Sequence, residues 1–197
     1  MHLQDLSTPA ALVDTQRMQY NIARMQTRMS ALGVAFRPHV KTTKCIEIAR
    51  QQMAAGARGI TVSTLKEAEQ FFAAGVADIL YAVGMSAPKL KQAAALIAQG
   101  CQLKIIADSV PCAQAIVQYG QQNALEFEVW IEIDTDGHRS GVKPEGDELL
   151  AIVSELVARA ETALEDRLLQ QGVFMAVMEI MPQIERVQRW RSVIPYV

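Results

Sequence analysis

The stretch "RGITVSTLKEAEQFFAAGVADILYAV", residues 58–83, contains two short apolar runs with a helical pattern between them. "RGITVST" and "ADILYAV" are each brief, rich in Ile, Val, Leu or Tyr, and bounded by Gly, Asp, Ser or Thr, as strands are. "STLKEAEQFFAAG" reads as a helix that closes on Gly75. A strand, a helix and a second strand within roughly 25 residues make a right-handed βαβ unit and therefore a parallel sheet.

The same alternation extends outward. "VAFRPHV" (34–40) upstream, and "QLKIIAD" (102–108) and "FEVWIEID" (127–134) downstream, read as further strands. "DTQRMQYNIARMQTRMSALG", "KCIEIARQQMAAG", "SAPKLKQAAALIAQG" and "SVPCAQAIVQYG" read as helices, stopped at Gly33, Gly56, Gly100 and Gly120. In the first of these helices Met18, Ile22, Met25, Met29 and Leu32 share one face, and the expectation for that stripe is core packing. The fold class is α/β, either a (β/α) barrel or a doubly wound open sheet. No GxGxxG follows the first strand and no GxxxxGK[ST] occurs anywhere, so the barrel is favoured.

The chain has 197 residues, half of them apolar and a fifth charged, which suits one globular domain. A net charge of −2 offers no broad basic field for nucleic acid. "MHLQDLSTPAALVDT" lacks a basic segment followed by an apolar one, and no later run is long and apolar enough to span a bilayer. A cytoplasmic protein with no membrane partner is expected. Cys45, Cys101 and Cys112 are odd in number and widely spaced, which reads as reduced thiols, mostly buried.

Parallel α/β folds gather their chemistry at the C-terminal ends of strands, and Lys41 follows Val40 at such an end. Beside apolar walls its amine would favour the neutral form, the nucleophile of a Schiff base; equally, a lysine at a strand end can simply extend into water. A second cluster, "EIDTDGHRSGV" (132–142), crowds Asp134, Asp136, His138 and Arg139 on a turn opened by Gly137. Arg139 could meet an anionic oxygen with its planar fork, or the arginine could neutralise its own acidic turn. Three possible metal ligands on one turn with no other partner are weak grounds for a metal site, and no metal is assigned.

Five motifs in order carry a resemblance: "TPAALVDT" (8–15), "RPHVKTTK" (37–44), "GITVSTLKEAE" (59–69), "DILYAVGM" (78–85) and "DTDGHRSGV" (134–142). Together they resemble the D-threonine aldolase and D-serine dehydratase group, the alanine-racemase-like, fold-type III enzymes that use pyridoxal 5′-phosphate. The resemblance implies a partial (β/α)8 TIM-type barrel over residues 1–157, with five or six of the eight strands. It also implies a lyase acting on D-β-hydroxy amino acids in D-amino acid metabolism, homodimeric in the family. By it, Lys41 would carry the cofactor as an internal aldimine and take or return the proton at the substrate α-carbon. Arg139 would lie near the cofactor's phenolic oxygen and His39 in the pocket floor.

The chain also departs from the group. The family reads "KTHK" where this chain has Lys41-Thr42-Thr43-Lys44, so the histidine at Thr43 is missing. From about Val157 the sequence diverges, and residues 158–197 are expected to form a mostly helical tail, with Ile184, Val187, Trp190 and Ile194 on one face. The family's remaining strands, its phosphate-holding Gly and Ser groups, and its C-terminal β-domain with a divalent-metal site are not found. A shortened coding sequence with a shifted reading frame would account for this. Reading the encoding DNA beyond Gln171 in the other frames tests it: no return of a His/Gly-rich strand end would count against the shift. The expectation is a catalyst with an incomplete site, the alternatives being a non-catalytic pyridoxal-phosphate-binding protein or an inactive remnant.

Overall fold

The computed structural model describes residues 3–135, 137 and 140–167. Along the chain lie α1 (Thr15–Ala31), α2 (Ile46–Ala54), β1 (Ile60–Val62), α3 (Leu65–Ala73), β2 (Asp78–Gly84), α4 (Ala87–Ala98), β3 (Gln102–Ala107), α5 (Val110–Asn123), β4 (Glu128–Ile131) and α6 (Asp147–Arg167). The strands form one sheet in the order β1-β2-β3-β4. β1 and β2 pair in parallel, with Ile60 opposite Ile79 and Val62 opposite Tyr81. A doubly wound sheet reverses its strand order at a switch point, whereas a barrel keeps strands in chain order with a helix after each. The observed order is the barrel's, and the fold is α/β, a partial (β/α) barrel.

Two compact units divide the chain: residues 1–83 with 91–105, and residues 84–90 with 106 onward. In the first, β1 is buried along its whole length and Ile79, Leu80 and Tyr81 are buried in succession. Continuous apolar strands of this kind are covered on both faces, as parallel sheets require. Each fully buried Ile or Val contributes about 1.5–3 kcal/mol relative to exposure. Leu65, Ala68 and Phe71 of α3 add the helical layer. In the second unit, α5 packs on α6, with Cys112, Ala113 and Ile116 of α5 and Ile152 of α6 buried.

Three expectations need correction. "VAFRPHV" forms no full strand: the segment runs beside β1, but its pairing is an isolated bridge between His39 and Thr61. Phe36 accepts from the Arg58 N–H (2.8 Å) and Pro38 from the Thr61 N–H (2.8 Å). Pro38 has no N–H to donate in return, so the ladder is interrupted between those contacts. The Met stripe of α1 is not core. No residue of α1 is buried, and Met25 and Leu32 are 41% and 61% exposed. Helical spacing specifies a face; it does not supply what covers it. Gly120 does not stop its helix: it is buried inside α5, which runs on to Asn123 and ends at Ala124 with φ +49°.

Gly33, Gly56, Gly75 and Gly100 do follow their helices, all with positive φ. α6 continues to Arg167, across the boundary placed at 157, and the rest of the expected tail lies outside the described residues.

Candidate functional site

The site is built from the segment that precedes β1. Along extended chain, side chains alternate, so Arg37 and His39 share one face while Phe36, Pro38 and Val40 share the other. Pro38 and Val40 are buried, which fixes the second face inward and leaves His39 half-buried on the first. Immediately after it comes a single 3-10 turn, Val40–Thr42. The Val40 carbonyl accepts from the N–H groups of Thr43 (3.2 Å) and Lys44 (2.8 Å), closing the turn with Lys41 on its exposed side.

Lys41 has no hydrogen-bond or ion-pair partner for its Nζ among the described residues. Among the described residues no apolar wall covers Lys41: it lies on the turn and its side chain is exposed. Thr43 is exposed as well.

His39 is held from two sides. Its Nδ1 accepts the Lys41 backbone N–H at 3.4 Å, and its Nε2 lies 3.3 Å from Ser63 Oγ. Burial, and then the positive charge of Lys41, hold the imidazole below its ordinary range; the Glu67 carboxylate and the Thr61 backbone pull the other way without prevailing. The ring is therefore neutral at pH 7.

Glu67 ties the next layer. It forms a capping box at the start of α3: Thr64 Oγ1 accepts the Glu67 N–H (3.0 Å), and Glu67 Oε2 accepts the N–H groups of Ser63 (2.9 Å) and Thr64 (3.3 Å). Its other oxygen pairs with Lys44 Nζ at 3.2 Å. Burial would raise the Glu67 carboxyl, but the Ser63 N–H and the Lys44 ammonium together bring it below its usual value. Lys44 holds φ at +47°, a left-handed conformation uncommon outside glycine.

The other ends of these strands carry a different cluster. Asp78, the first residue of β2, meets Arg37 through two contacts of 2.9 Å and Lys104 of β3 through a third, also 2.9 Å. Burial pushes the Asp78 carboxyl up, and the two cations more than reverse it, so the net shift is downward. Gly59 has φ +63°, and a Cβ there would meet Arg37 Nη1 and, at 2.5 Å, the Asp78 carbonyl. Only glycine lets the chain pass.

In the second unit, the turn after β4 folds on itself. Asp134 Oδ1 accepts the Gly137 N–H (3.0 Å), and an isolated bridge joins Ile133 to Val142. Gly137 opens the turn with φ +78°. Asp136, His138 and Arg139 lie outside the described residues.

Of the sequence-derived candidates, His39 and Lys41 are brought into direct contact. Sequence reading missed Ser63, Glu67 and Lys44. The capping-box spacing Thr64-x-x-Glu67 was the available signal for Glu67. The thiols are free, with Cys101 and Cys112 buried and Cys45 half-buried. Burial pushes the Cys101 thiol to about 11, as suits a packing residue. Among the described residues no cluster of His, Cys, Asp and Glu could hold a metal ion, and no helix is long and apolar enough to cross a membrane.

The chain is similar to several known proteins. D-threo-3-hydroxyaspartate dehydratase of Delftia sp. (strain HT23) is 62% identical over 151 residues, which are 77% of this chain and 40% of that protein. Its solved structure superposes with a TM-score of 0.77 over 78% of this chain and 41% of its own. D-serine dehydratase of Dictyostelium discoideum is 34% identical over 81% of this chain and 42% of its own length. D-threonine aldolase of Arthrobacter sp. is 33% identical over 71% and 37%. The chain thus spans about 40% of the length of the curated relatives it matches. The model of the alanine racemase N-terminal domain matches residues 13–174, and the chain belongs to that family.

Proposed function

We propose that this chain carries the cofactor-anchoring end of a pyridoxal-5′-phosphate-dependent lyase acting on a small D-β-hydroxy amino acid, with Lys41 as the anchoring amine. The observation that carries the reading is the position of Lys41. It is a primary amine without a carboxylate partner among the described residues, on a short turn at the end of the segment beside β1. An aldehyde cofactor needs such an amine: a salt-bridged ammonium would be poorly nucleophilic. His39, neutral and fixed next to it, adds no competing charge. These residues fit the aldehyde end of the cofactor.

When bound, pyridoxal phosphate supplies an electron sink for bond breaking at the substrate α-carbon. Lys41 Nζ would take the α-proton as the β-hydroxyl departs, and His39 would keep the turn beneath it in place. For Arg139 we propose contact with the cofactor's phenolic oxygen, supported by the "DTDGHRSGV" motif. The names of the relatives support a β-hydroxy or hydroxyl-bearing D-amino acid, D-threo-3-hydroxyaspartate first, with D-serine and D-threonine after it.

The test is to mix the purified chain with pyridoxal 5′-phosphate, reduce with borohydride and map the adduct by peptide mass, with Lys41→Ala as control. A single adduct at Lys41, lost in the variant, is expected. Scattered labelling of surface lysines that Lys41→Ala leaves unchanged would overturn the reading. Assays with the three D-amino acids then separate turnover from cofactor retention without turnover, the alternative function.

A further inference from the structure

We propose that His39 is the positioning residue of the Lys41 turn, holding it through a neutral imidazole whose proton sits on Nε2. The inference rests on the reading of Lys41 given above and extends it to the residue that fixes where the amine stands.

The geometry assigns the tautomer. A backbone N–H can only donate, so the Nδ1 that accepts from Lys41 must be unprotonated. The proton of the neutral ring is then on Nε2, where it donates to Ser63 Oγ. His39 thus acts as the N-cap of the turn, joining the Lys41 backbone to the end of β1. A histidine at a cap is unusual, because Asn, Asp, Ser and Thr are the common cap acceptors. What histidine adds is a second ring nitrogen, able to reach Ser63 while the first accepts from the turn.

The groups facing the ring decide how it responds to pH. Lys41 is positive and close; Glu67 is negative and is itself engaged by Lys44; the Thr61 backbone lies beside it. Protonation at Nδ1 removes the acceptor for the Lys41 N–H, leaving two donors face to face. The turn therefore loosens in acid while the capping box of α3 remains in place, because that box draws on Glu67 and Thr64 and not on the ring.

The assignment is tested on the full chain without cofactor. Histidine 15N NMR is expected to show a protonated Nε2 and an unprotonated Nδ1 at pH 7.5, and the reverse tautomer would overturn it. Amide exchange then reads the turn. The Lys41 N–H should lose about five- to tenfold protection in His39→Ala, the loss expected of a missing cap, and retain most of it in His39→Asn, whose side-chain oxygen can stand in for Nδ1. In the wild type, protection at Lys41 should fall between pH 7 and 5 relative to the Asn variant. Equal protection in wild type and Ala variant, or an identical pH dependence in wild type and Asn variant, would overturn the assignment. Should the Ala variant fail to fold, the tautomer and the Asn comparison still decide. The same samples carried through the borohydride experiment keep the two readings apart. Intact His39-dependent protection without a Lys41 adduct would sink the proposed function and leave the His39 assignment standing; an adduct with no dependence on His39 would do the opposite.

Discussion

In the first unit, Lys104 pairs with Asp78 near the start of the strands with its side chain 11% exposed, while Lys41 stands on an exposed turn at the opposite end with no carboxylate against it among the described residues. One lysine lies in the sheet and the other on the turn beside it, and they are treated in opposite ways. At the starting end each cation has a carboxylate oxygen within 2.9 Å and the backbone closes tightly around Gly59. At the far end the Lys41 amine has no partner among the described residues, and the polar groups nearby hold the turn from its backbone. Strand starts in a (β/α) barrel serve stability and strand ends carry chemistry, and the partition of charge here follows that division.

The comparison is broken most sharply at Asp78. Asp78→Ala leaves Arg37 and Lys104, 18% and 11% exposed, as two largely buried cations without their shared partner. Removing one side of a buried pair costs about 3–5 kcal/mol; with Asp78 itself a third exposed, a loss of about 3 kcal/mol is expected. Urea denaturation measures it. A loss below about 1 kcal/mol would mean that the cluster is decoration and that the strands are held by their apolar faces alone.

Of this division only Lys41 at a strand end is legible in the sequence, and the rest is hidden for identifiable reasons. Four of the five expected strands form because β-branched and apolar runs bounded by turn residues specify a strand from within a few residues, although β4 has no buried residue. The fifth fails at Pro38, a local defect whose consequence depends on which neighbour needs the missing N–H. Lys41 was legible as a strand-end amine, yet its exposure depends on a 3-10 turn that "VKT" does not announce. The Asp78 cluster draws on three residues from three different elements, and no periodicity links them. His39 was legible as a neighbour of Lys41, but its role depends on Ser63, which only the pairing of His39 with Thr61 brings within reach. The α1 stripe shows the reverse: a strong local pattern whose burial is not decided locally.

Acid separates the two ends by order of loss. His39 has a depressed folded value, so its contribution is complete above its ordinary 6.5 and declines as pH falls below that. Asp78 and Glu67 are also depressed, so their contributions persist to lower pH and are lost only below their ordinary values of 3.8 and 4.5. The turn carrying Lys41 is expected to loosen as pH falls below 6.5 while the sheet remains folded. Global stability then drops below about pH 4. Amide exchange followed alongside circular dichroism checks the order; simultaneous loss of both signals would remove the distinction between the ends.

The smallest effect is expected at Lys44, and its smallness is informative. Lys44 joins Glu67 at 3.2 Å, but its side chain is 68% exposed, so the pair is worth about 0–1 kcal/mol. Against this, a non-glycine residue at φ +47° costs about 1–2 kcal/mol. Lys44→Gly relieves that cost, loses the ion pair, and adds about 0.5–1 kcal/mol of backbone entropy to the unfolded chain. These contributions nearly cancel, and the change in stability should stay within about 0.5 kcal/mol. Glu67 would keep its Ser63 and Thr64 donors, so the capping box survives the substitution. A loss of 2 kcal/mol or more in Lys44→Gly would show that the far end is clamped by charge in the same manner as the Asp78 end, and that the exposure of Lys41 owes nothing to a lighter hold on its turn.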